Sequence, residues 1–367
     1  MPRAGVTVVR VGESTWSLWE PEEGRFEHAW MDRAVDALHA AGIKVIMGTP
    51  TYSIPMWMHR RHPEILARRA NQPQTTYGMR QNMNTDDPTY RFYAERVIRW
   101  QVNHYRDHPA VIAWQIDNET ASYGATNDDV FAGFVEHLKR KFGTPEALSA
   151  AWVLNYWGQN FWDWDDLTRQ DTPSSTGYRL EWTRWSQMRV TDFLAWQAAI
   201  VRELKRPDQL VMHNFSPGVH TDIDEIAVAG KIDVVGANPY HGTQDHFDGH
   251  AQTFNGDFYR SLKRDNYWVT EINAQSIGWT SSHQFPPYDG QARLDVYTNL
   301  ASGANLVAYW HWHSVHAGTE TFWRGVLGHD LQPNRFYGEL ARTAAELARI
   351  GTRLVGLKKD EPGRHPS

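Results

Sequence analysis

The chain has 367 residues, 41% hydrophobic and 22% charged, enough apolar material for a sizeable core in one large domain or two small ones. Its formal charge of −6 is mild and not sorted into blocks, which excludes a basic nucleic-acid footprint and a polybasic membrane segment. Cysteine is absent, so disulfides, thiolate catalysis and Cys-ligated zinc are excluded.

No run approaches the roughly 20 apolar residues of a membrane span. The opening MPRAGVTVVRVGEST lacks a secretion signal's apolar core, so a cytoplasmic location is expected. Val6–Val11 reads as a β-branched strand, and the spacing of Trp30, Met31, Ala34, Val35 and Leu38 predicts a helix closed by Gly42. Ile43–Met47 is the next predicted strand, followed by a long loop from Thr51 to Pro88 that carries TYSIPMW and TTYGMRQN. A helix is predicted over Tyr90–Tyr105, then a strand over Val111–Ile116 that runs into Asp117, Asn118 and Glu119. Phe131, Phe134, Val135 and Leu138 mark another helix, and the aromatic stretch from Trp152 to Trp164 reads as irregular. A helix over Trp182–Leu204 precedes a strand at Leu210–Met212. Three further strands lead directly into polar groups: Ile232–Gly236 into Asn238, Pro239 and Tyr240, Tyr267–Thr270 into Glu271, and Leu306–Trp310 into His311, Trp312 and His313. A last amphipathic helix spans Phe336–Ile350, and a polar tail occupies residues 356–367.

Seven strands, apolar throughout and mostly followed by helices, imply a parallel sheet buried on both faces. Polar and aromatic residues gather just after strand C-termini, where barrel enzymes build their sites. The expected fold class is therefore α/β, a (β/α)8 TIM barrel over residues 1–355; such a barrel wants eight strands and seven are read, so either one strand is missed in the reading or the barrel lacks its first β-strand, which would lie upstream.

Eighteen tryptophans, with 15 Tyr and 14 Phe, are an unusual excess. Aromatic rings stack on sugar C–H faces, though such rings equally serve to fill a core. Cleaving a glycosidic bond needs a proton donor for the leaving oxygen and a second carboxylate at the anomeric carbon. Glu119 and Glu271 both follow apolar strands. Singly, the alternative for Glu119 is a loop carboxylate capping a helix, which the polar group at the mouth of a buried strand disfavours, while Glu271 reads equally as an ion-pair partner. Together they fall three strands apart, which places them across the barrel mouth at a reachable separation of about 5 Å. Asn118 is then poised to bond the sugar 2-hydroxyl, and the Tyr240 hydroxyl to orient the nucleophile. Arg80 reads as a sugar-hydroxyl or carboxylate partner, or as a plain surface arginine. His311 and His313 invite a metal reading, which is rejected because two ligands alone make a poor site. No metal and no cofactor are expected.

At WQIDNE, YWVTEIN and AYWHWHSVHAGTETFWRGVLGHDLQPN the chain closely resembles glycoside hydrolase family 42, the β-galactosidases, and RVGESTWSLWEPEEGRF and GIKVIMGTPTYSIPMWMHRRHPEIL carry the same likeness. The resemblance implies a retaining hydrolase releasing terminal β-galactose, with Glu119 as acid/base and Glu271 as nucleophile. It further implies that Asn118, Arg80 and Glu320 bond the galactose, that Trp279 stacks on it, and that Tyr240 lies near the nucleophile. Trp323 stands where some members have His, a departure that bears on subsite preference. The Cys-held zinc of some members is excluded here. Members are much longer, with a strand before the segment that begins here and two domains after the barrel, and they commonly form homotrimers. The chain thus reads as the barrel domain alone, expected to fold or act weakly. The competing expectations are a barrel glycosidase of β-glucosidase, mannanase or xylanase type, and a barrel that only binds sugar.

Overall fold

The computed structural model describes residues 1–73 and 75–357. Seven strands form one sheet in the order β1-β2-β3-β4-β5-β6-β7: Val8–Val11, Lys44–Gly48, Val111–Gln115, Leu210–Phe215, Val234–Ala237, Tyr267–Val269 and Ala304–Val307. Every neighbouring pair is parallel, from Val8 beside Lys44 at one edge to Val269 beside Val307 at the other. Among the described residues β1 and β7 each lack a partner on their outer edge, so the barrel is complete but for one strand.

Each strand's two faces serve different cores, because successive side chains point to opposite sides. Val45, Met47, Trp114, Val211, Val235 and Val269 pack outward against the helices, with Val9 and Val11 beside them. Ile46, Ala113 and Met212 fill the barrel interior, joined by Val8, Val234, Trp268 and Leu306. A fully buried Val or Ile contributes about 1.5–3 kcal/mol, so a strand apolar on both faces is held by both layers.

The outer ring consists of the helices Ala29–Ala40, Pro88–Tyr105, Thr176–Leu204, Gly249–Lys263, Gln291–Ala301 and Arg335–Leu354, with shorter ones between. Several start on the side-chain caps their sequences advertise. Asp87 accepts from the amides of Thr89 and Tyr90 with Pro88 at the first position, Asp248 accepts from those of His250 and Ala251, and Asn334 from that of Tyr337. A separate cluster of Phe134, Leu138, Leu148, Leu154, Phe161, Leu167 and Tyr178 lies under the aromatic excursion.

The strands match the sequence reading within a few residues. Leu306–Trp310 is shorter than expected as a strand, ending at Val307, yet backbone bonds from Ala308 to Val269 and from Trp310 to Ile272 continue the alignment. The helix expected from Trp182 starts earlier, at Thr176, on a Ser175 cap. The polar tail falls from residue 358 onward outside the described residues. No helix among the described residues is long and apolar enough to cross a membrane.

Candidate active site

Three polar residues interrupt the inner face of otherwise apolar strands and build the floor of the site. Arg10 shares the inner face of β1 with Val8; its side chain is only 6% exposed. Its guanidinium donates to Gln115 Oε1 at 2.9 Å, to Asn118 Oδ1 at 3.2 Å and to the carboxylate of Glu271. Asn214, near the end of β4, donates from one amide nitrogen to Asn118 Oδ1 at 2.8 Å and to Glu271 Oε1 at 3.3 Å. Burial opposes the charge on Arg10, but Glu271 foremost and then Glu13 outweigh it, so its pKa lies above the ordinary value.

The chain leaves β3 through a strained turn. Asp117 and Glu119 both adopt left-handed backbone, at φ 48° and 43°, a region that costs non-glycine residues energy unless the surroundings fix it. Here they do. The Asp117 amide donates to Thr49 Oγ1 at 2.7 Å, the Glu119 amide to Asn214 Oδ1 at 3.2 Å, and the Glu119 carbonyl accepts from the Tyr123 hydroxyl at 2.8 Å. The buried Asp117 carboxylate accepts from Thr51 and Thr120 hydroxyls at 2.7 and 2.6 Å, and burial pushes it up to about 6. This frame turns Asn118 and Glu119 into the mouth.

The two glutamates have different surroundings. Glu271 Oε2 accepts from the Tyr240 hydroxyl at 2.6 Å, while Oε1 faces Arg10 and Asn214. Glu119 accepts from Asn238 Nδ2 at 2.8 Å, and Asn238 is itself fixed by the Thr270 hydroxyl at 2.9 Å. Burial first, and then the charge of Glu271, push Glu119 up to about 7 against the pull of Asn238, Arg80 and Arg10. Burial, followed by that same charge, keeps the Tyr240 hydroxyl protonated well above its ordinary range.

All eight residues singled out in the sequence, Arg80, Asn118, Glu119, Tyr240, Glu271, Trp279, Glu320 and Trp323, line one pocket of about 220 Å³. Arg80 reaches it from the long loop, 3.8 Å from Glu320 and with its guanidinium 5.1 Å from the Tyr52 ring centroid and 5.8 Å from that of Trp279. Glu320 Oε2 accepts from the Trp310 indole at 3.1 Å. Trp279 is 53% exposed and stands edge-on to Trp323 at 6.2 Å, whereas Trp323 is buried, 5.1 Å from Tyr240. The Trp323 indole nitrogen is buried without a partner among the described residues. Gly278 lies flush on that indole, where any Cβ would fall 2.2 Å from it. His311 and His313 have ring centroids 5.2 Å apart, and the described residues bring no third ligand to them.

Sequence reasoning passed over Arg10, Glu13 and Asn214, and gave no role to Asn238, noted only at a strand end, or to Trp310, noted only as the end of a strand. Arg10 carried a signal, a lone charge inside the β-branched run VVRV, where only an inward-facing partner makes burial tolerable. Glu13 lines the pocket, and burial raises its carboxyl from the ordinary range.

A pair of carboxyl groups in one aromatic-walled pocket, at the C-terminal mouth of a parallel β/α barrel, defines a barrel of the glycoside hydrolase kind. The comparisons agree, and the chain belongs to glycoside hydrolase family 42: the family model described as Beta-galactosidase matches residues 1–350. The β-galactosidase BgaA of a Thermus species is 31% identical over 95% of this chain and 57% of its own length. The crystal structure of the β-galactosidase from the psychrophilic Marinomonas ef1 superposes with a TM-score of 0.89 at 29% identity, over 97% of this chain and 58% of that one. Gan42B, a family 42 β-galactosidase from G. stearothermophilus, superposes at 0.92 and 25% identity, over 98% and 54%. The chain thus spans little more than half the length of these relatives.

Proposed function

We propose that residues 1–355 act as the catalytic barrel of a retaining β-galactosidase, which releases terminal β-galactose from β-galactosides by double displacement. The observation that carries this reading is the unequal treatment of the two carboxyl groups in one pocket. Glu119 is held near its protonated form by burial and by the charge opposite. Glu271 accepts from Arg10, Asn214 and the Tyr240 hydroxyl, three donors that fix both its oxygens, whereas among the described residues Glu119 accepts only from Asn238. In the first step Glu271 attacks the anomeric carbon while Glu119 gives its proton to the departing oxygen. In the second, Glu119 takes a proton from water, whose oxygen displaces Glu271. The product keeps the β configuration because the carbon is inverted twice.

The neighbours divide the sugar between them. The Asn118 carbonyl oxygen is occupied by Arg10 and Asn214, which leaves its amide hydrogens for a sugar hydroxyl. Arg80 and Glu320 form a donor–acceptor pair on one wall, suited to adjacent hydroxyls, and exposed Trp279 offers a stacking face. The Trp323 indole N–H, without a partner among the described residues, adds a directed donor where a histidine would offer a smaller ring. A cytoplasmic setting and assembly of the protein as a trimer belong to the same proposal, the first supported by the cysteine-free composition and the second by the family resemblance.

The test is hydrolysis of nitrophenyl β-galactoside against the matching glucoside and mannoside, with the product anomer followed by proton NMR. Preference for the galactoside with β-galactose appearing first is expected. Glu271→Gln is expected to abolish turnover, and Glu119→Gln to slow it by roughly 10²–10⁴-fold. Initial release of α-galactose, or preference for the glucoside, would overturn the assignment.

A further inference from the structure

His28 immediately precedes the helix Ala29–Ala40, Asp32 lies one turn into it, and His104 occupies the last turn of the helix Pro88–Tyr105. None of the three lines the pocket described above. The four-residue spacing puts His28 and Asp32 on one helix face, and the facing helix brings His104 to the same carboxylate. Asp32 Oδ2 stands 2.5 Å from His28 Nδ1, and Oδ1 stands 3.0 Å from His104 Nε2. One ligand atom from each residue lies within 4.8 Å of the other two.

The surrounding rings hold this set in place. His104 stacks on Trp100 at 5.5 Å with an interplanar angle of 6°, and meets Tyr105 edge-on at 4.6 Å. Phe26 stacks on the Trp100 ring at 4.7 Å. The Tyr105 hydroxyl donates to Asp32 Oδ1 at 2.7 Å, the kind of outer contact that orients a coordinating carboxylate. Among the described residues Asp32 has no lysine or arginine partner, so its charge is met only by two imidazoles and a phenol. Two imidazoles and one carboxylate, gathered at one point and open to solvent, are the donor set of a borderline divalent metal.

We propose that His28 Nδ1, an Asp32 carboxylate oxygen and His104 Nε2 bind one divalent cation of the zinc class, with water completing its shell, and so clip the helix Ala29–Ala40 to the helix Pro88–Tyr105. Bonds of about 2.0–2.2 Å to one ion set its ligand atoms about 3–4 Å apart. The Asp32–His104 pair already meets that spacing, and His28 moves out by roughly 1 Å as the cation takes the place of the shared proton.

The experiment is calorimetric titration of the EDTA-stripped, dialysed chain with ZnCl2, in parallel with thermal unfolding. One zinc per chain with a micromolar Kd is expected, and at 100-fold excess over Kd a rise in Tm of about 3 °C. His28→Asn puts a residue favoured at helix N-caps where His28 makes no side-chain cap bond, and His104→Gln keeps a flat polar group, so both variants are expected to fold with unchanged circular dichroism. Each is expected to weaken zinc binding at least tenfold and to lose the Tm rise. Absence of binding to the wild-type chain up to millimolar zinc overturns the proposal, as does equal binding by both variants, which would place the metal elsewhere among the 18 histidines.

Discussion

Glu119 holds its proton because burial and the facing Glu271 both penalise its charge, with burial the larger cause. The pH dependence follows with a definite sign. A general acid works only while protonated, so kcat/KM on nitrophenyl β-galactoside should hold below pH 7 and fall as pH rises through about 7, where Glu119 ionises. Replacing Glu271 by Gln removes the opposing charge, and the Glu119 pKa should then drop. Infrared difference titration of the carboxyl band reads this directly in the inactive variant. An unchanged Glu119 pKa in Glu271→Gln would mean that the two groups do not share one site. The glutamates themselves were legible in the sequence because each follows an apolar strand, and the pocket holds all eight residues expected to line it. Their partners were not. Asn214 and Asn238 are ordinary polar residues in sequence, and only the three-dimensional mouth brings the Asn214 amide to Glu271 and the Asn238 amide to Glu119. The tryptophan excess turns out to be divided: Trp16, Trp19 and Trp114 are fully buried in the core, while Trp279, Trp310 and Trp323 wall the pocket.

Strands announced themselves more clearly than helices. A strand buried on both faces is an apolar run with nothing to interrupt it, whereas two outer helices bury polar or small residues and so lose the helical period. In the helix Gly249–Lys263 the inward stripe is Gln252, Gly256, Tyr259 and Leu262. In Gln291–Ala301 it is Ala292, Asp295, Val296 and Asn299, with Asp295 facing His241 at 3.4 Å and Asn299 accepting from the Tyr267 hydroxyl at 3.2 Å. Neither stripe resembles the apolar repeat by which an amphipathic helix is recognised. Gly256 is small because the helix approaches its neighbours closely there. A Cβ at that position would lie 2.5 Å from Ser302 Cβ and 2.7 Å from the Tyr267 hydroxyl. Gly256→Ala gains about 1 kcal/mol of helix propensity but forces an overpacked contact costing about 1–3 kcal/mol between buried groups. A net loss is expected, read as a lower urea midpoint at unchanged m-value. A midpoint at or above that of the parent would show that the two helices have room to part.

The whole barrel is shaped by the flank between β1 and β7. Among the described residues two strand edges without partners face each other across it, and a cavity of about 1300 Å³ opens between them, lined on its strand side by Val8, Val9, Leu306 and Val307 and on its helix side by Leu38, Leu340 and Leu347. Val8 and Leu306, the inner-layer residues on the two edge strands, are only partly buried, while Ile46, Ala113 and Met212 on β2, β3 and β4 are fully enclosed. Arg10 sits on the open edge strand, so the floor of the glutamate pocket and the flank share one element. Apolar surface of this extent attracts apolar ligands. The folded chain is accordingly expected to enhance the fluorescence of anilinonaphthalene sulfonate well below its unfolding transition. Ala37 and Ala345 line the helix rims of the same cavity and are solvent-exposed. Glutamates there should disturb stability by no more than about 0.5 kcal/mol, yet set two negative charges against an anionic dye. Loss of the fluorescence in the double variant Ala37→Glu, Ala345→Glu, with circular dichroism and melting unchanged, would assign the dye to the flank. Full fluorescence in that variant, or none in the parent chain, would mean that the flank is closed in solution.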